Sequence, residues 1–317
     1  MSFSTEVKNN LARIIPDTKE EQISELSGMI RVGATLRFVG RGLLSFVITI
    51  ENPAVCRKIV KIIKQCFRIR VEISVKKNEN LKKRFYTISI PEDEKANMIL
   101  IETGILVKNE EFYSLTSKIP NHMLSIEENR NAYIRGVFLG GGSVGDPAKS
   151  YHMEFVTSDD EFAEHLKNML NEHDLHANVT KRKTNNVVYV KDSSHIALLL
   201  ALMGDFENTC HMESVKIEKQ VRNQINRIVN CETANINKTV NSAGKQIESI
   251  RYIQDTVGLS ELSEELQQIA KLRLEYPYAS LRELGEQLEI PLGRSAVNHR
   301  LKKIQQFAEK IKELEEK

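Results

Sequence analysis

An internal repeat is the feature of this 317-residue chain that most constrains its fold. The segment from Leu26 to Ala34 resembles the segment from Ile134 to Gly142, and a strand-like run follows each, at 45–50 and 153–157. A helix comes next in both copies. Its four apolar positions recur at an offset of 107: Val55, Ile59, Ile62 and Ile63, then Phe162, Leu166, Met169 and Leu170. So constant a spacing indicates two copies of one structural unit.

Each copy continues with two more strands and a closing helix. Alternating apolar and polar residues predict these strands, at 71–75 and 85–90 in the first copy and at 177–181 and 187–190 in the second. Helices close the copies at 94–104 and 195–203. The sequence therefore predicts an α+β fold in which two αββαββα units, residues 1–122 and 123–229, form a pseudo-dimer.

The rest of the chain is predicted to be a helical connector followed by an all-α domain. Residues 230–258 begin with a polar, asparagine-rich stretch and are assigned to a connector in which helix resumes near Gln246. In 259–317, Ser280-Leu-Arg-Glu283 is a capping-box signature for a short helix, and Ser295 is a suitable N-cap for a longer one. A short helix, a tight turn and a longer helix form the layout of a helix-turn-helix DNA-binding domain.

The second helix of that layout has the polar leading end that base recognition needs. Four basic side chains and no acidic one lie between Ile290 and Ile304. The positions predicted to face inward are Val297, Leu301, Ile304 and Ala308. Arginine can bind guanine and asparagine can bind adenine through paired hydrogen bonds. The alternative is a helical bundle with a solvated basic helix.

The DNA-binding segment is predicted to run roughly from Ser280 to Ala308. Within it, the predicted DNA-binding residues are Ser280, Arg282, Arg294, Ser295, Asn298, His299, Arg300, Lys302 and Lys303.

Glycines in both repeats predict that two helices pack closely. Glycine inside a helix costs roughly 1 kcal/mol relative to alanine, so several of them need a compensating reason. Gly28 and Gly33 in the first copy, with Gly136, Gly140 and Gly141 in the second, would let two backbones approach each other. The glycine-rich run 140–146 matches neither of the common phosphate-binding loop patterns.

Both repeats resemble the LAGLIDADG motif of homing endonucleases in their two-repeat form. The resemblance implies two motif helices packed together, saddle-shaped sheets over DNA, and a metal-binding acid at the last position of each motif. Those positions correspond to Gly33 and Gly141, and neither is a carboxylate. Two-metal hydrolysis needs ligands that hold both the attacking and the leaving oxygen. The resemblance therefore implies the fold and argues against cleavage.

Particular segments narrow the resemblance further. Residues 131–144, 234–241, 280–285 and 295–301 resemble the WhiA family of bacterial regulators, and the likeness covers nearly the whole chain. Membership implies a transcription factor that binds promoter DNA mainly through its C-terminal domain. It also implies roles in cell division, chromosome segregation or sporulation.

In the implied fold, basic residues of both repeats fall on sheet strands and their turns, where a DNA backbone would lie. Phosphate contacts there would give affinity without sequence information. One alternative is that the lysines around 78–80 flank a solvated hairpin tip. Another is that the sheet surface, which contacts DNA in the homing endonucleases, binds protein in this chain. The predicted phosphate contacts are Arg68, Arg70, Lys76, Lys77, Lys82, Lys83, Arg84, Lys181, Arg182 and Lys183.

Composition sets limits on the remaining function classes. The 45 basic and 43 acidic residues exclude a chain coated in positive charge, but not charges sorted into patches. We expect no cofactor and no metal, a cytoplasmic, nucleoid-associated protein, and no membrane association, because the longest apolar run, 196–203, is too short to span a bilayer. The expected partner is double-stranded promoter DNA, with the transcription machinery or another regulator as further candidates. The competing functions are a metal-dependent site-specific endonuclease and an unspecific chromosome-organising protein.

Overall fold

The computed structural model describes residues 1–40, 43–78, 83–90, 94–108 and 112–315, and the side chains at 39, 40, 78, 83 and 94 are excluded from that description. The chain divides into two compact units, residues 1–219 and 220–317. Each unit has a hydrophobic core of its own.

The first unit confirms the predicted α+β fold and its two αββαββα repeats. The first repeat, with one preceding helix, comprises α1 Phe3–Arg13, α2 Lys19–Gly33, β1 Ala34–Gly40, β2 Leu43–Ile50, α3 Pro53–Phe67, β3 Glu72–Asn78, β4 Lys83–Ile90 and α4 Glu94–Glu102. The link comprises β5 Leu106–Lys108, β6 Tyr113–Leu115 and α5 Asn121–Leu124. The second repeat comprises α6 Glu127–Gly141, β7 Gly142–Val144, β8 Met153–Thr157, α7 Asp160–Asn171, β9 Asn178–Arg182, β10 Asn185–Val190 and α8 Ser193–Met203.

The two repeats form antiparallel sheets of the same topology. Their strand orders are β1-β2-β4-β3 and β7-β8-β10-β9, so each repeat contributes its own four-stranded sheet. In the first sheet Ile48 is opposite Ile88, and in the second Phe155 is opposite Val188. All four side chains are buried. Because successive strand residues point to opposite faces, this register buries one face of each sheet in the helical core.

The two motif helices, α2 and α6, pack backbone to backbone as the glycines predict. A Cβ atom built at Gly28 would lie 2.5 Å from the carbonyl oxygen of Tyr133, and one at Gly136 would lie 2.0 Å from that of Glu25. Neither position can hold a larger residue without moving a helix. Close approach of the two helices therefore compensates for the helix-destabilising glycines.

A buried ionic network that no sequence pattern indicates lies beside this helix pair. The fully buried Glu25 carboxylate contacts the Lys58 ammonium, and it lies 3.1 Å from Nε of Arg135. Lys58 Nζ also donates to the Leu11 carbonyl (2.9 Å), and Arg135 donates to the Met203 carbonyl (3.0 Å). Burial lowers the pKa of Lys58 to about 8, although the Glu25 charge opposes the shift. These contacts connect α1, α2, α3, α6 and α8.

The second unit shows that the predicted polar connector is helical. A single helix, α9, runs from Phe206–Thr256 without interruption, and the boundary between the units falls within it. The helical connector is therefore confirmed, and helix also covers 230–245, before the predicted resumption near Gln246. Asparagine costs only a few tenths of a kcal/mol more than most residues inside a helix, and no proline interrupts the segment. The helix ends just before Gly258, whose φ of 87° lies in the left-handed region.

The predicted helix-turn-helix is present in the second unit. Its helices are α10 Glu264–Glu275, α11 Leu281–Glu286 and α12 Arg294–Glu315, preceded by a 3₁₀ turn at Leu259–Glu261. Both capping-box hydrogen bonds form: Ser280 N–H donates to Glu283 Oε2 (2.6 Å), and Glu283 N–H donates to Ser280 Oγ (3.3 Å). Helix α12 begins one residue before the predicted cap, Ser295. The core of the unit is formed by Ile250, Ile253, Ile269, Leu284, Val297 and Leu301, among others.

Two further properties hold for the described residues. Among them, no helix is long and apolar enough to cross a bilayer. All four cysteines, Cys56, Cys66, Cys210 and Cys231, are free thiols.

Candidate nucleic-acid interface

Helix α12 separates an apolar back from a polar front. Val297, Leu301 and Ile304 are buried against the core of the second unit. The remaining side chains of the first two turns and a half include most of the predicted base-contacting residues. Asn298 is half-buried. Five others are exposed: Arg294, Ser295, His299, Lys302 and Lys303. The structure therefore brings six of the nine predicted DNA-binding residues together on the polar front of one helix.

The apolar back includes the residue that ends the predicted DNA-binding segment. Ala308, which ends that segment, is only 2% exposed and belongs to the core of the second unit. Its predicted inward orientation is therefore confirmed, and the extent of the DNA-binding segment stays a prediction. A buried methyl group, more than a helical turn beyond Lys303, presents nothing to a base or a phosphate.

The cations of this polar front have no acidic partners. Within residues 112–315, all of which the structure describes, no ion pair involves Arg294, Lys302 or Lys303. A phosphate or a base edge could bind them without displacing an internal salt bridge. The first residues of α12 also carry the helix N-terminus, which favours negative charge.

The other three predicted residues are engaged within the domain. Ser280 caps α11 through its side chain. Arg282 pairs with Glu286 one turn later (2.9 Å), but it is 83% exposed and remains accessible. Arg300 pairs with Glu265 of α10 (2.9 Å) and is only 21% exposed. Arg300 therefore holds α10 and α12 together, and its contact with DNA stays a prediction.

In the first sheet, strand geometry divides the predicted phosphate contacts between two faces. Lys76 lies opposite Phe85, whereas Lys77 lies opposite Arg84. Neighbouring residues of one strand point to opposite faces, so Lys76 and Lys77 cannot share a surface. Arg68 ends α3 in a left-handed conformation (φ 58°), and Arg70 is exposed two residues later. Lys82 and the side chain of Lys83 lie outside the described part of the chain.

In the second sheet, two of the three predicted contacts pair with acids. Lys181 lies 3.1 Å from Asp160, and Arg182 lies 3.3 Å from Glu154. Burial acts to raise the pKa of Glu154, but hydrogen bonds from His152 and Ser143 and the charge of Arg182 hold it below its ordinary value. Glu154 therefore stays ionised on this sheet. Lys183 is exposed in the hairpin turn with φ of 58°.

The two positions where a LAGLIDADG nuclease would carry its acids differ in the space around them. Gly33 ends α2, and a Cβ atom there would have ordinary contacts, the nearest at 3.5 Å. Gly141 ends α6, and a Cβ atom there would lie 2.9 Å from the carbonyl oxygen of Val156. The second position therefore has no room for a carboxylate side chain unless backbone moves.

A cation lies beside the second of these positions. Lys8 and Gly141 line one cavity of about 780 Å³, and the Lys8 ammonium is 5.8 Å from the centre of the Phe138 ring. Burial lowers the pKa of Lys8 to about 8, although Glu51 opposes the shift. The described residues contain no group of three or more His, Cys, Asp or Glu side chains that could hold a metal ion. A lysine and two glycines do not fit a pair of divalent cations.

Comparisons with known proteins agree with this architecture. Three family models match: the WhiA N-terminal LAGLIDADG-like domain over 19–106, the WhiA LAGLIDADG-like domain over 130–222 and the WhiA C-terminal HTH domain over 225–308. The "Probable cell division protein WhiA" of Clostridium botulinum is 44% identical over 314 residues, which cover 99% of each chain. The chain belongs to the WhiA family. The WhiA protein of Clostridium beijerinckii is likewise 44% identical, over 98% of this chain and 99% of its own.

Solved WhiA structures share the fold. The crystal structure of full-length DUF199/WhiA from Thermatoga maritima matches with a TM-score of 0.61 and 26% identity, over 98% of this chain and 99% of that one. The N-terminal LAGLIDADG domain of DUF199/WhiA matches with a TM-score of 0.52 and 24% identity, over 64% of this chain and 90% of that one. The predicted family, fold class and helix-turn-helix are thereby confirmed. The HTH match begins at residue 225, inside α9, so the WhiA HTH domain includes part of the stretch predicted to be a connector.

Proposed function

We propose that this WhiA-family protein is a sequence-specific transcription regulator whose α12 helix reads bases in the major groove of promoter DNA. The proposal rests on the front of α12, where cations and hydrogen-bonding side chains lie over a buried apolar back. Among the described residues, Arg294, Lys302 and Lys303 of this front have no acidic partner. In the described residues no group of three or more His, Cys, Asp or Glu side chains could hold a metal ion. Recognition rather than chemistry is the function that this surface supports.

The position of each side chain along α12 suggests its role. Arg294 and Asn298 are one turn apart at the leading end, where a recognition helix contacts base edges. Arginine can donate two hydrogen bonds to guanine, and asparagine can pair with adenine. Lys302 and Lys303 lie roughly 12 Å further along the helix axis than Arg294. They would therefore meet phosphates at the edge of the groove. Base contacts would give specificity, and the lysines would fix the register.

The LAGLIDADG-like unit is proposed to act without nuclease activity. Glycine at both positions of the metal-binding acids, the lack of space at Gly141 and the cationic Lys8 in the adjoining cavity all support this. The unit would instead add phosphate contacts through the exposed bases of its sheets, or bind the transcription machinery or another regulator. A metal-dependent endonuclease is the competing function, and it lacks its carboxylates.

The relatives suggest the process in which the regulator acts. Two of them are called probable cell division proteins. We infer that this chain acts at the nucleoid on genes of cell division, with chromosome segregation and sporulation as related processes. The main competing role is an unspecific chromosome-organising protein, which would bind DNA without preferring promoters.

A genome-wide crosslinking map of the wild-type protein and the Arg294→Ala variant tests the proposal. We expect wild-type peaks centred on promoters, and we expect the variant to lose them because base contacts would be removed. Lys310→Ala is the matched control, since Lys310 is exposed near the far end of the same helix. Scattered occupancy that is the same in the wild type and both variants would favour the chromosome-organising role.

A further inference from the structure

A groove runs between α9 and the helix-turn-helix within the second unit. Its volume is about 640 Å³. On one side are Asn235, Lys238, Thr239 and Ser242 of α9, and on the other are Arg294 and Asn298 of α12. We call this the α9 groove. The same two α12 residues that are proposed to read bases therefore also line it.

The α9 wall of the groove has a helical pattern that is normally apolar. Positions 235, 238, 239 and 242 follow the spacing i, i+3, i+4 and i+7, which places them on one face. A helix that packs on a protein core carries hydrophobic residues at that spacing. Here all four are polar and exposed, although the Thr239 hydroxyl donates to the Asn235 carbonyl of its own helix (3.0 Å). This face of α9 is built to meet a polar partner.

The charge of the groove has one sign. Its lining includes Lys238, Arg273, Arg282 and Arg294, of which Arg282 pairs with Glu286 outside the groove, and none of the described lining residues is acidic. Its apolar lining side chains are Ala243 and Leu281. A chain of phosphodiesters complements such a surface, because each phosphate needs a cation or a hydrogen-bond donor and offers no apolar side chain. An acidic peptide would share the charge but would find few apolar pockets for anchoring.

The floor of the groove holds a buried donor. Arg273 is only 1% exposed, and its Nη1 donates to the Ala279 carbonyl (2.8 Å). Its Nε has no hydrogen-bond partner within the described part of the chain. Burial without an acidic partner lowers the pKa of Arg273 from its usual value, yet arginine stays charged at neutral pH. The floor therefore adds positive potential beneath the polar wall.

We propose that the α9 groove binds the phosphate backbone of DNA, so that α9 is a second contact element beside the recognition helix. This rests on the proposed function, because DNA read by the leading end of α12 would run past the same groove. Lys238 would pair with a phosphate. Asn235 and Ser242 would donate hydrogen bonds to the adjoining phosphates, whereas the Thr239 hydroxyl already donates to the Asn235 carbonyl (3.0 Å). Contacts of this kind strengthen binding to every sequence alike.

The test is a salt titration of the full-length protein with a duplex of random sequence, about 30 bp long, which exceeds the two helical turns that such a domain can cover. Each phosphate contact made by a cation contributes about 0.9 to the slope of log K against log salt concentration. We expect Lys238→Ala to make the slope shallower by about 1 and to weaken binding several-fold. Ser242→Ala should weaken binding and leave the slope unchanged, because a neutral donor displaces no counterion.

Arg251→Ala is the matched control. It removes one exposed cation from the same helix, about 140° round the axis from Lys238, and should change neither slope nor affinity. Thermal melts check that all variants fold. A Lys238→Ala slope equal to that of the wild type would overturn the proposal. Poly-glutamate is titrated in parallel as a model of an acidic peptide. If Lys238→Ala lost binding to poly-glutamate but bound the duplex as the wild type does, the groove would be a site for an acidic peptide and the proposal would be overturned. Failure of the wild type to bind the duplex would instead contradict the proposed function.

Discussion

The front of α12 and the edge strand β9 both carry closely spaced bases, but these bases have different partners. Arg294, Lys302 and Lys303 have no ion pair within residues 112–315, all of them described. On β9, Lys181 pairs with Asp160 and Arg182 with Glu154. A run of bases in a sequence therefore does not define a binding surface. Acids that are distant in the chain decide which cations remain available.

Backbone geometry adds a second difference, between α12 and the strands of the first sheet. On a helix, residues four apart share a face, so Arg294, Asn298 and Lys302 form one surface. On a strand, consecutive residues alternate, so adjacent bases such as Lys76 and Lys77 point to opposite sides. The same number of bases therefore gives a concentrated positive surface on α12 and a divided one on the first sheet.

The largest expected effect concerns Lys58, a base of the first repeat that is buried rather than available. Glu25→Gln leaves the buried Lys58 and Arg135 without their acid. Removing one partner of a buried ion pair costs about 3–5 kcal/mol, so we expect the first unit to unfold at clearly lower denaturant concentration. Urea unfolding followed by circular dichroism measures this loss.

The matched control for that variant is Glu164→Gln, which removes an acid from the solvent-exposed pair with Lys167. Exposed pairs contribute about 0–1 kcal/mol, so the control should unfold almost as the wild type does. Equal unfolding midpoints for both variants would show that Lys58 is not held in a buried network.

A smaller effect compares α12 and β9 directly. Lys302→Ala with Lys303→Ala should make the salt slope of duplex binding shallower by about 2, because both cations are available to phosphates. Lys181→Ala with Arg182→Ala should change the slope by much less, because those cations already neutralise Asp160 and Glu154. Titrations by fluorescence anisotropy give both slopes. Equal changes would mean that pairing in the second sheet does not prevent DNA contact.

Local signals in the sequence were sufficient for the helix-turn-helix and the repeat. The capping box at Ser280, the buried positions Val297 and Leu301, and the glycines at the close approach of α2 and α6 depend on residues a few positions apart. Such patterns recur wherever the same backbone geometry recurs. They were enough to predict the fold class, the two repeats and the six residues on the front of α12.

Features that depend on distant residues were not predictable. Nothing in the sequence links Glu25 to Lys58 or Arg300 to Glu265, because each contact forms only when separate helices pack. The polar stretch 230–245 suggested a connector from composition alone, although its residues tolerate a helix. As a result the α9 face that lines the groove beside Arg294 was missed.

Base reading by α12 is tested most directly by the DNA specificity of the α12 variants. Dissociation constants of wild type, Arg294→Ala and Asn298→Ala would be measured at one salt concentration, for a promoter fragment from the crosslinking map and for a scrambled duplex of equal length. We expect each variant to lower the ratio of the scrambled-duplex to the promoter dissociation constant about 5- to 150-fold. This range corresponds to the loss of about 1–3 kcal/mol for one base contact. An unchanged ratio, with both affinities falling equally, would contradict base reading by α12.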